Sequence, residues 1–310
     1  MVRSSLVVGT RGSRLAIWQA EWIQARLREI APDITVTLRR IKTSGDKILD
    51  VPLAKIGGKG LFVKEIEEAL VRGEIDLAVH SMKDVPTVLP RELEILCVPA
   101  REDPRDVMVS QVAASVDQLP RAARVGTSSL RRQAQLLHRR SDLVIEMLRG
   151  NLDTRLRKLR EGSYDAIVLA AAGLKRMGWL DQVTEYLSPE VSLPAIGQGA
   201  LGLEGRRNDT FVQELVARLE DPATRTVVTA ERALLERLEG GCQVPIAAHA
   251  TIRNKELLVD GLIASVDGQR LIRDTVHGKA SSAGDLGVEL ADKLLARGGR
   301  AILAEIYRDT

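Results

Sequence analysis

The sequence predicts an α/β protein with two similar α/β lobes around a cleft and a small C-terminal α+β domain. Three observations lead to this prediction. A strand-like run, a Gly-Thr turn and a helical pattern occur twice, at 8–13 and 125–129. A helix-ending Gly followed by a buried-looking strand also occurs twice, at 73–79 and 162–168. From about Asp221 the pattern changes to a long helix, several strands in a run and a last helix, which is typical of an α+β domain.

The first lobe begins with a strand and an amphipathic helix. Apolar residues follow one another at spacings of four and three from Ala16 to Ile30, which predicts a helix. Helix N-termini at the carboxyl ends of strands favour anions. Thr10 and Ser13, in the turn before this helix, are therefore either plain N-caps or anion ligands. The later run 75–81 predicts a buried strand.

The second lobe repeats this plan. Thr127, Ser128 and Ser129 precede a predicted helix at 130–140 and have the same two interpretations, helix capping or anion binding. The charged, proline-containing stretch 98–106 is typical of a hinge between the lobes. A second crossover is predicted at 193–200, so we expect three domains: residues 1–99 with 200–218, residues 100–199, and residues 219–310.

The third domain is predicted from turn signals. A long helix reaches Leu238, and a glycine-containing loop carries Cys242. Asn254-Lys255 and Asp267-Gly268 are turn pairs between strands. The predicted strands lie near 247–254, 257–265 and 270–277, and the predicted last helix lies near 285–297.

Composition excludes several classes of protein. Of the 310 residues, 45% are hydrophobic and 28% are charged, and no run of 18 apolar residues suggests a membrane span. No secretory signal is visible at the N-terminus. The formal net charge of +3 and the aromatic content of 3% argue against a nucleic-acid partner. The four histidines lack metal-ligand spacing, so no metal site is expected.

The two cysteines have different settings. Cys97 lies in an apolar run, where a buried cysteine behaves as a small inert hydrophobe. Cys242 follows Gly240-Gly241 and precedes Pro245, so its thiol is either exposed for chemistry or a loop residue without a role. The pair does not form a disulfide framework, which agrees with a reducing cytoplasm.

Arginine dominates the basic residues. Of the 45 basic residues, 34 are Arg, the side chain suited to bidentate binding of carboxylate or phosphate. Charge clusters on helices are usually solvated faces, and we interpret Arg139-Arg140, Arg157 and Arg160 in that way.

Five further motifs carry a resemblance to a known family. They are HSMKDVPT at 80–87, GTSSLRRQ at 126–133, LRGN at 148–151, LPAIGQG at 193–199 and EGGC at 239–242. In this order and with TRGS at 10–13, the chain resembles the hydroxymethylbilane synthases, also called porphobilinogen deaminases. The resemblance covers some four-fifths of the chain and implies periplasmic-binding-protein-like lobes.

The resemblance implies a cytoplasmic, monomeric transferase that joins four porphobilinogens head to tail with release of ammonia. The same resemblance implies that this transferase passes its product to the next enzyme of tetrapyrrole biosynthesis. It also implies a dipyrromethane cofactor bound covalently to Cys242. A thiolate can capture the electrophilic pyrrole left by loss of ammonia as a thioether, which agrees with a lone exposed cysteine. The other implied cofactor-binding residues are Ser81, Lys83, Asp84, Thr127, Ser128, Ser129, Arg131, Arg132 and Arg155.

Asp84 is the implied catalytic residue. Its carboxylate, at the end of the predicted strand, can accept a pyrrole N–H and stabilise the cation that develops on deamination. Lys83 either offsets this charge or holds a substrate carboxylate. The implied substrate-binding residues are Arg11, Ser13, Gln19, Lys55, Lys59, Phe62, Arg149, Arg176 and Gln198, of which Lys55, Lys59 and Phe62 belong to a glycine-rich stretch that resembles the family's mobile loop.

Two other classes of protein share part of this pattern. A solute-binding protein with two α/β lobes around an anion has the same strand-turn-helix arrangement, but it has no use for Cys242. A nucleic-acid-binding module uses arginine clusters, but it is usually more basic.

Overall fold

A computed structural model describes residues 3–47, 63–238 and 244–308. These residues form two compact units. The first contains 3–47, 63–102 and 200–225, and the second contains 103–199, 226–238 and 244–308. A further boundary inside the second unit, which the predicted three-domain division requires, stays a prediction.

The first unit is built on a five-stranded sheet in the order β2-β1-β3-β10-β4. Its strands β1, β2 and β3 are parallel, whereas β10 is antiparallel to β3 and β4. The strands are β1 (Ser5–Thr10), β2 (Thr35–Arg40), β3 (Leu77–Ser81), β4 (Leu93–Cys97) and β10 (Leu201–Arg206). The helices are α1 (Arg14–Ile30), α2 (Ser44–Lys47), α3 (Lys64–Val71) and α7 (Thr210–Ala217).

Two apolar cores cover this sheet. On one side α1 buries Ala20, Ile23 and Leu27 against strand residues such as Leu6 and Val8. A separate cluster contains Ile66, Ala69 and Leu70 of α3 together with Ile75, Ala78 and Leu93. The predicted helical spacing of the first helix is therefore confirmed, because its stripe of apolar residues is the buried face.

The second unit repeats the same sheet, in the order β7-β6-β8-β5-β9. Here β6 is parallel to β7 and β8, and β5 is the antiparallel strand between β8 and β9. The strands are β5 (Asp106–Ser110), β6 (Arg124–Gly126), β7 (Val144–Glu146), β8 (Ala166–Ala170) and β9 (Glu185–Tyr186). The helices are α4 (Leu130–Arg139), α5 (Leu152–Arg160) and α6 (Ala171–Arg176).

The repeated glycines have the conformation that the sequence predicts. Gly73 follows α3 and Gly162 follows α5, and their φ angles are +69° and +78°. This left-handed region is easily adopted only by glycine, and it ends both helices before a buried strand. The two similar α/β lobes are thus confirmed.

The remaining part of the second unit is a three-stranded antiparallel sheet with helices, as predicted. Asn254 and Lys255 form the first turn with φ angles of 52° and 69°. Gly268 is required in the second turn, since its φ is +71° and a side chain there would lie 2.5 Å from the Ala134 carbonyl oxygen of α4. The helix α8 (Pro222–Arg237) starts in residues 222–225, which are counted with the first unit, and continues into this part. The other elements are β11 (Ile246–Arg253), β12 (Glu256–Ala264), β13 (Leu271–Lys279), α9 (Ala283–Leu294) and α10 (Arg300–Arg308).

Two interpretations of single residues have different outcomes. Cys97 is fully buried at the end of β4, and burial, followed by the charge of Glu220, raises the pKa of its thiol far above the ordinary value. The inert interpretation of this cysteine is confirmed. The hinge interpretation is wrong for Asp106, because this residue begins β5 and is fully buried. In the described ranges, no helix is long and apolar enough to cross a membrane.

The contact between α8 and α9 yields a test of packing. A methyl group at Gly287 would lie 2.2 Å from the Ala230 carbonyl oxygen, whereas one at Gly284 in the same helix would meet nothing within 4 Å. Gly287→Ala should lower the free energy of unfolding by about 1–3 kcal/mol, since the helices must separate. Gly284→Ala should leave it unchanged or raise it by up to about 1 kcal/mol. Urea unfolding of both variants measures the difference, and equal effects would contradict the close approach.

Candidate active site

The turn after β3 carries Lys83 and Asp84. Residues Met82–Asp84 form one short 3-10 turn. Met82 is buried, and its N–H donates to the Ala200 carbonyl oxygen at 3.0 Å. Lys83 and Asp84 are only half-buried. The buried Met82 therefore fixes the turn against β10 and leaves a lysine and a carboxylate at the carboxyl end of the strand.

The N-terminus of α1 is joined to the end of β3 in the same unit. Ser13 is the N-cap of α1 and accepts the N–H of Ala16 at 3.3 Å, so the capping interpretation of Ser13 is confirmed. The Thr10 hydroxyl instead donates to the Ala16 carbonyl oxygen at 2.9 Å. The Gln19 amide donates to the Ser81 hydroxyl oxygen at 3.1 Å. Gln19, an implied substrate-binding residue, and Ser81, an implied cofactor-binding residue, are thus in contact.

The N-terminus of α4 carries three hydroxyl side chains. Ser129 is the N-cap and accepts the N–H of Arg132 at 3.4 Å, which confirms its capping interpretation. Thr127 accepts the N–H of Ser129 at 3.2 Å. The Ser128 hydroxyl donates to the Leu148 carbonyl oxygen at 2.5 Å, so it holds the LRGN segment beside the start of α4. Anion binding by these hydroxyl groups stays a prediction.

Three further arginines of the second unit are half-buried. Arg155 donates from Nε to the Gly150 carbonyl oxygen at 2.8 Å, and Arg176 donates from Nη2 to the Gly199 carbonyl oxygen at 2.7 Å. Arg149 lies directly before Gly150. The guanidinium groups of Arg155 and Arg176 therefore stiffen the glycine-containing segments on which the predicted site residues lie.

A buried carboxylate organises the centre of the second unit. Arg131 donates from Nη1 to Oδ2 of Asp106 at 2.7 Å, and Arg132 donates from Nη2 to Oδ1 at 2.7 Å. The Ser192 hydroxyl donates to Oδ2 at 2.7 Å, and the Gln198 amide donates to Oδ1 at 2.9 Å. Burial alone would raise the pKa of Asp106, but the charges of Arg131 and Arg132 outweigh it and hold this pKa far below its ordinary value.

This network changes how three predicted ligand-binding residues are understood. The exposed fractions of Arg131, Arg132 and Gln198 are 5%, 6% and 1%. Their observed contacts on Asp106 belong to the protein's own core, and their contacts with cofactor or substrate stay predictions. Asp106 itself was missed by the sequence analysis, although an aspartate that opens the apolar run 107–109 was a signal for a paired, buried charge.

Glu231 of α8 is a second buried carboxylate that the sequence analysis missed. It accepts the N–H of Gly197 on Oε2 at 2.7 Å and the N–H of Ala250 on Oε1 at 2.9 Å. Gly197 belongs to the LPAIGQG motif and Ala250 to β11. Glu231 thus ties the segment that carries Gln198 to the three-stranded sheet.

Arg139 and Arg157 form exposed ion pairs, with Asp117 and with Glu161, and Arg160 is also exposed. The interpretation of these three arginines as a solvated face is confirmed. It is wrong for Arg140, which is half-buried and donates to the carbonyl oxygens of Val116, Asp117 and Leu119. Lys55, Lys59, Phe62 and Cys242 lie outside the described residues.

Comparison with known proteins gives two matching family models. Residues 6–214 match the model described as porphobilinogen deaminase, dipyromethane cofactor binding domain. Residues 225–296 match the porphobilinogen deaminase C-terminal domain. The two models together account for most of the chain.

Individual relatives agree with these models. The porphobilinogen deaminase of Pelobacter propionicus is 60% identical over 303 residues, which cover 98% of this chain and 97% of that protein. The porphobilinogen deaminase of Syntrophotalea carbinolica is 60% identical over 306 residues, which cover 99% of this chain and 97% of that protein. Among solved structures, a TRAP periplasmic solute binding protein from Desulfovibrio salexigens is 12% identical with a TM-score of 0.45, and the match covers 70% of this chain and 72% of that chain.

The Asp106 network generates a stability prediction. Asp106→Asn leaves two buried guanidinium groups without their counter-charge, so the free energy of unfolding should fall by about 3–5 kcal/mol at pH 7. The matched control is Asp117→Asn, which breaks the exposed ion pair with Arg139 and should cost at most about 1 kcal/mol. Urea unfolding of the two variants and the parent measures both values.

The effect of Asp106→Asn should also depend on pH. Since folding lowers the pKa of Asp106, its stabilisation is complete above the pKa of an unfolded aspartate, about 3.9, and is lost as the pH falls from there towards the folded pKa. The difference between parent and variant should therefore stay constant from about pH 8 to pH 5 and shrink below about pH 4. A difference no larger than that of Asp117→Asn would contradict the role of this carboxylate.

Proposed function

This chain belongs to the porphobilinogen deaminase family, and from that premise we propose that it joins four porphobilinogen molecules head to tail into hydroxymethylbilane, with release of ammonia. It is thus a transferase of tetrapyrrole biosynthesis. Its cofactor is a dipyrromethane, which when bound supplies the primer to which new pyrrole units are joined. The match of residues 6–214 to the cofactor-binding model carries this proposal.

The donor groups of both units fit a dipyrromethane. Its acetate and propionate groups are carboxylates, which prefer guanidinium groups, hydroxyl groups and helix N-termini. The second unit offers the α4 N-terminus with Thr127, Ser128 and Ser129. Near it in sequence, Arg155 is only half-buried. We assign cofactor binding to these residues and, in the first unit, to Ser81, Lys83 and Asp84. Arg131 and Arg132 are included through the N–H donors that remain beside their bonds to Asp106 and to the carbonyl oxygens of Leu193 and Val168.

Cys242 is the proposed attachment residue. A thiolate forms a stable thioether with an electrophilic pyrrole carbon, and this requires an accessible sulfur. Cys97 does not meet that requirement, because it is fully buried and its thiol pKa is strongly raised by burial. The chain has no third cysteine, so the assignment falls on Cys242.

Asp84 is the proposed catalytic residue. When the bond between the aminomethyl carbon of porphobilinogen and its nitrogen breaks, ammonia leaves and positive charge spreads over the pyrrole ring. A carboxylate that accepts the pyrrole N–H stabilises this charge. Asp84 suits this role, because the turn that carries it is fixed by the buried Met82 while its own side chain stays half-buried.

The remaining polar residues bind substrate in this proposal. Each added unit brings one acetate and one propionate, so negative charge accumulates as the product grows. Fixed cations offset it. Arg11, Arg149 and Arg176 are the cations that serve this purpose, and Ser13, Gln19 and Gln198 offer neutral hydrogen-bonding groups to the substrate. Lys55, Lys59 and Phe62 lie outside the described residues.

We further propose that the protein acts in the cytoplasm as a monomer and passes its product to the next enzyme of the pathway. A net charge of +3 and the low aromatic content support a small-molecule substrate and no nucleic-acid or membrane partner.

The intact mass of the purified protein tests the cofactor assignment. We expect the active protein to be heavier than its polypeptide by two pyrrole units, all on Cys242. Cys242→Ser should lack this added mass and nearly all activity, since a hydroxyl is a much weaker nucleophile at neutral pH. The matched control, Cys97→Ser, should keep the added mass. An active parent protein with an unmodified mass would refute the assignment.

Variants of Asp84 test the catalytic assignment. Asp84→Asn keeps the shape and removes the charge, so kcat should fall by about 10²–10³-fold with little change in KM. Asp84→Glu keeps the charge and should retain more activity than the asparagine variant. Asp33→Asn, an exposed change in the same unit, is the control and should match the parent. Single-turnover incorporation of porphobilinogen into cofactor-loaded protein measures the rates. If Asp84→Asn remains within a few-fold of the parent, the carboxylate has another role.

A further inference from the structure

Beside the turn that carries Asp84, the first unit contains a buried polar cluster that the proposed reaction does not use. His80 on β3 and Glu204 on β10 are 5% and 0% exposed. His80 Nε2 lies 2.9 Å from Glu204 Oε2. The strand register pairs His80 with Gly202, so Glu204 lies two residues further along the same face of the sheet. The imidazole and the carboxylate therefore form one buried pair.

A second carboxylate faces this pair from α3. Glu67 Oε1 and Glu204 Oε1 are both inaccessible to solvent, and neither has a hydrogen-bond partner in the described part of the chain. Burial and, to a lesser extent, the charge of Glu204 together raise the pKa of Glu67 to about 7, against a smaller opposing effect of His80. The three groups are thus close enough to interact electrostatically.

Two ionised carboxylates in one buried space are unfavourable, because like charges repel strongly in a low dielectric. An unsatisfied buried acceptor also costs free energy. A proton held by this pair of carboxyl groups relieves the repulsion, because it removes one charge, and it supplies a donor where two buried acceptor oxygens have none.

The cluster is directly connected to the turn Met82–Asp84, which carries the proposed catalytic residue. His80 directly precedes Ser81, and the turn Met82–Asp84 follows. Met82 packs on the β10 residue opposite His80, since its Cε lies 2.8 Å from where a side chain of Gly202 would begin. The same strand therefore holds both His80, through Glu204, and Met82.

The other charged groups around the cluster have partners of their own. Asp76, directly before β3, pairs with Arg206 at the end of β10 at 3.0 Å, and Glu94 on β4 pairs with Arg207 at 2.9 Å. On α3, Glu65 accepts the Ser44 N–H at 2.8 Å, and Glu68 lies 3.5 Å from Arg72. Lys64, Glu68 and Arg72 line a surface depression together with Glu67. The carboxyl group of Glu67 therefore connects the buried pair with the protein surface.

We propose that Glu67 and Glu204 share one proton at neutral pH and that this proton holds the His80–Glu204 pair in the position that supports the Asp84 turn. Glu67, His80 and Glu204 are positioning residues in this proposal, which rests on the proposed function for the role of Asp84. Loss of the proton places a second negative charge beside Glu204, separates the carboxyl groups and displaces the turn. Turnover then falls as the pH rises above about 7, the pKa of Glu67.

Glu67→Gln tests the proposal, because the amide has the shape of the protonated carboxyl and does not titrate. Folding raises the pKa of Glu67 from 4.5 to about 7, so the parent should lose stability as the pH rises between these values and no further above them. The stability difference between Glu67→Gln and the parent should therefore grow from about pH 4.5 to pH 7 and then stay constant. The matched control is Glu68→Gln, the next residue of α3 with an exposed side chain, and its difference should not change with pH.

Kinetics of the cofactor-loaded protein give the second measurement. Above pH 7 the kcat of the parent should fall severalfold more than that of Glu67→Gln, with KM unchanged. Glu68→Gln should follow the parent. Identical pH profiles of kcat for the parent and Glu67→Gln would overturn the positioning role, whatever the unfolding data show.

A measurement on the parent protein tests the proposal even if Glu67→Gln does not fold. With glutamate labelled by carbon-13 at the side-chain carboxyl, one buried signal should titrate near pH 7, well above the exposed glutamates. If no carboxyl titrates above about pH 6, the shared proton is refuted. The unfolding measurement and the carbon-13 titration do not depend on the role of Asp84. A parent-like rate for Asp84→Asn would instead refute the proposed function and leave the shared proton standing.

Discussion

One buried ionic contact determines much of the second unit. Asp106 begins the antiparallel strand β5, and its carboxylate is shared by Arg131 and Arg132 at the start of α4. Burying these charges is costly unless each has partners, and Ser192 and Gln198 complete the set. The strand, the helix N-terminus and the segment that follows β9 are therefore held in one arrangement, and the predicted ligand-binding residues of this unit depend on it.

The features that the sequence predicted correctly are local ones. Helical spacing in α1 and the positive φ angles of Gly73 and Gly162 follow from short stretches of chain. Contacts between distant residues could not be obtained in this way. Asp106 and Arg132 are separated by 26 positions, and Glu231 and Gly197 by 34. No periodicity links such pairs, and burial of a charged residue depends on the tertiary fold.

The candidate site illustrates the same limit. The capping role of Ser129 and the neighbouring turn at Thr127 could be predicted, because these hydrogen bonds are local, whereas the contact of Ser128 with Leu148 joins distant residues. Arg131 and Arg132 were identified only as ligand-binding residues, since the sequence does not distinguish a guanidinium that faces a ligand from one that neutralises a buried aspartate. In the structure both guanidinium groups neutralise the buried Asp106. Ligand binding is compatible with this contact, because each guanidinium has five N–H donors.

The strand order has a consequence for synthesis on the ribosome. Among the described strands of the first sheet, β4 pairs with β10 alone, and β3 ends at Ser81 whereas β10 begins at Leu201. The nascent first sheet therefore stays incomplete, with an open edge beside β3, until more than a hundred further residues have been translated. The sheet of the second unit spans only Asp106 to Tyr186 and can close earlier. The later segment of the chain can therefore fold first, and the N-terminal sheet is completed last. In the interval the N-terminal strands are exposed to aggregation and to chaperones.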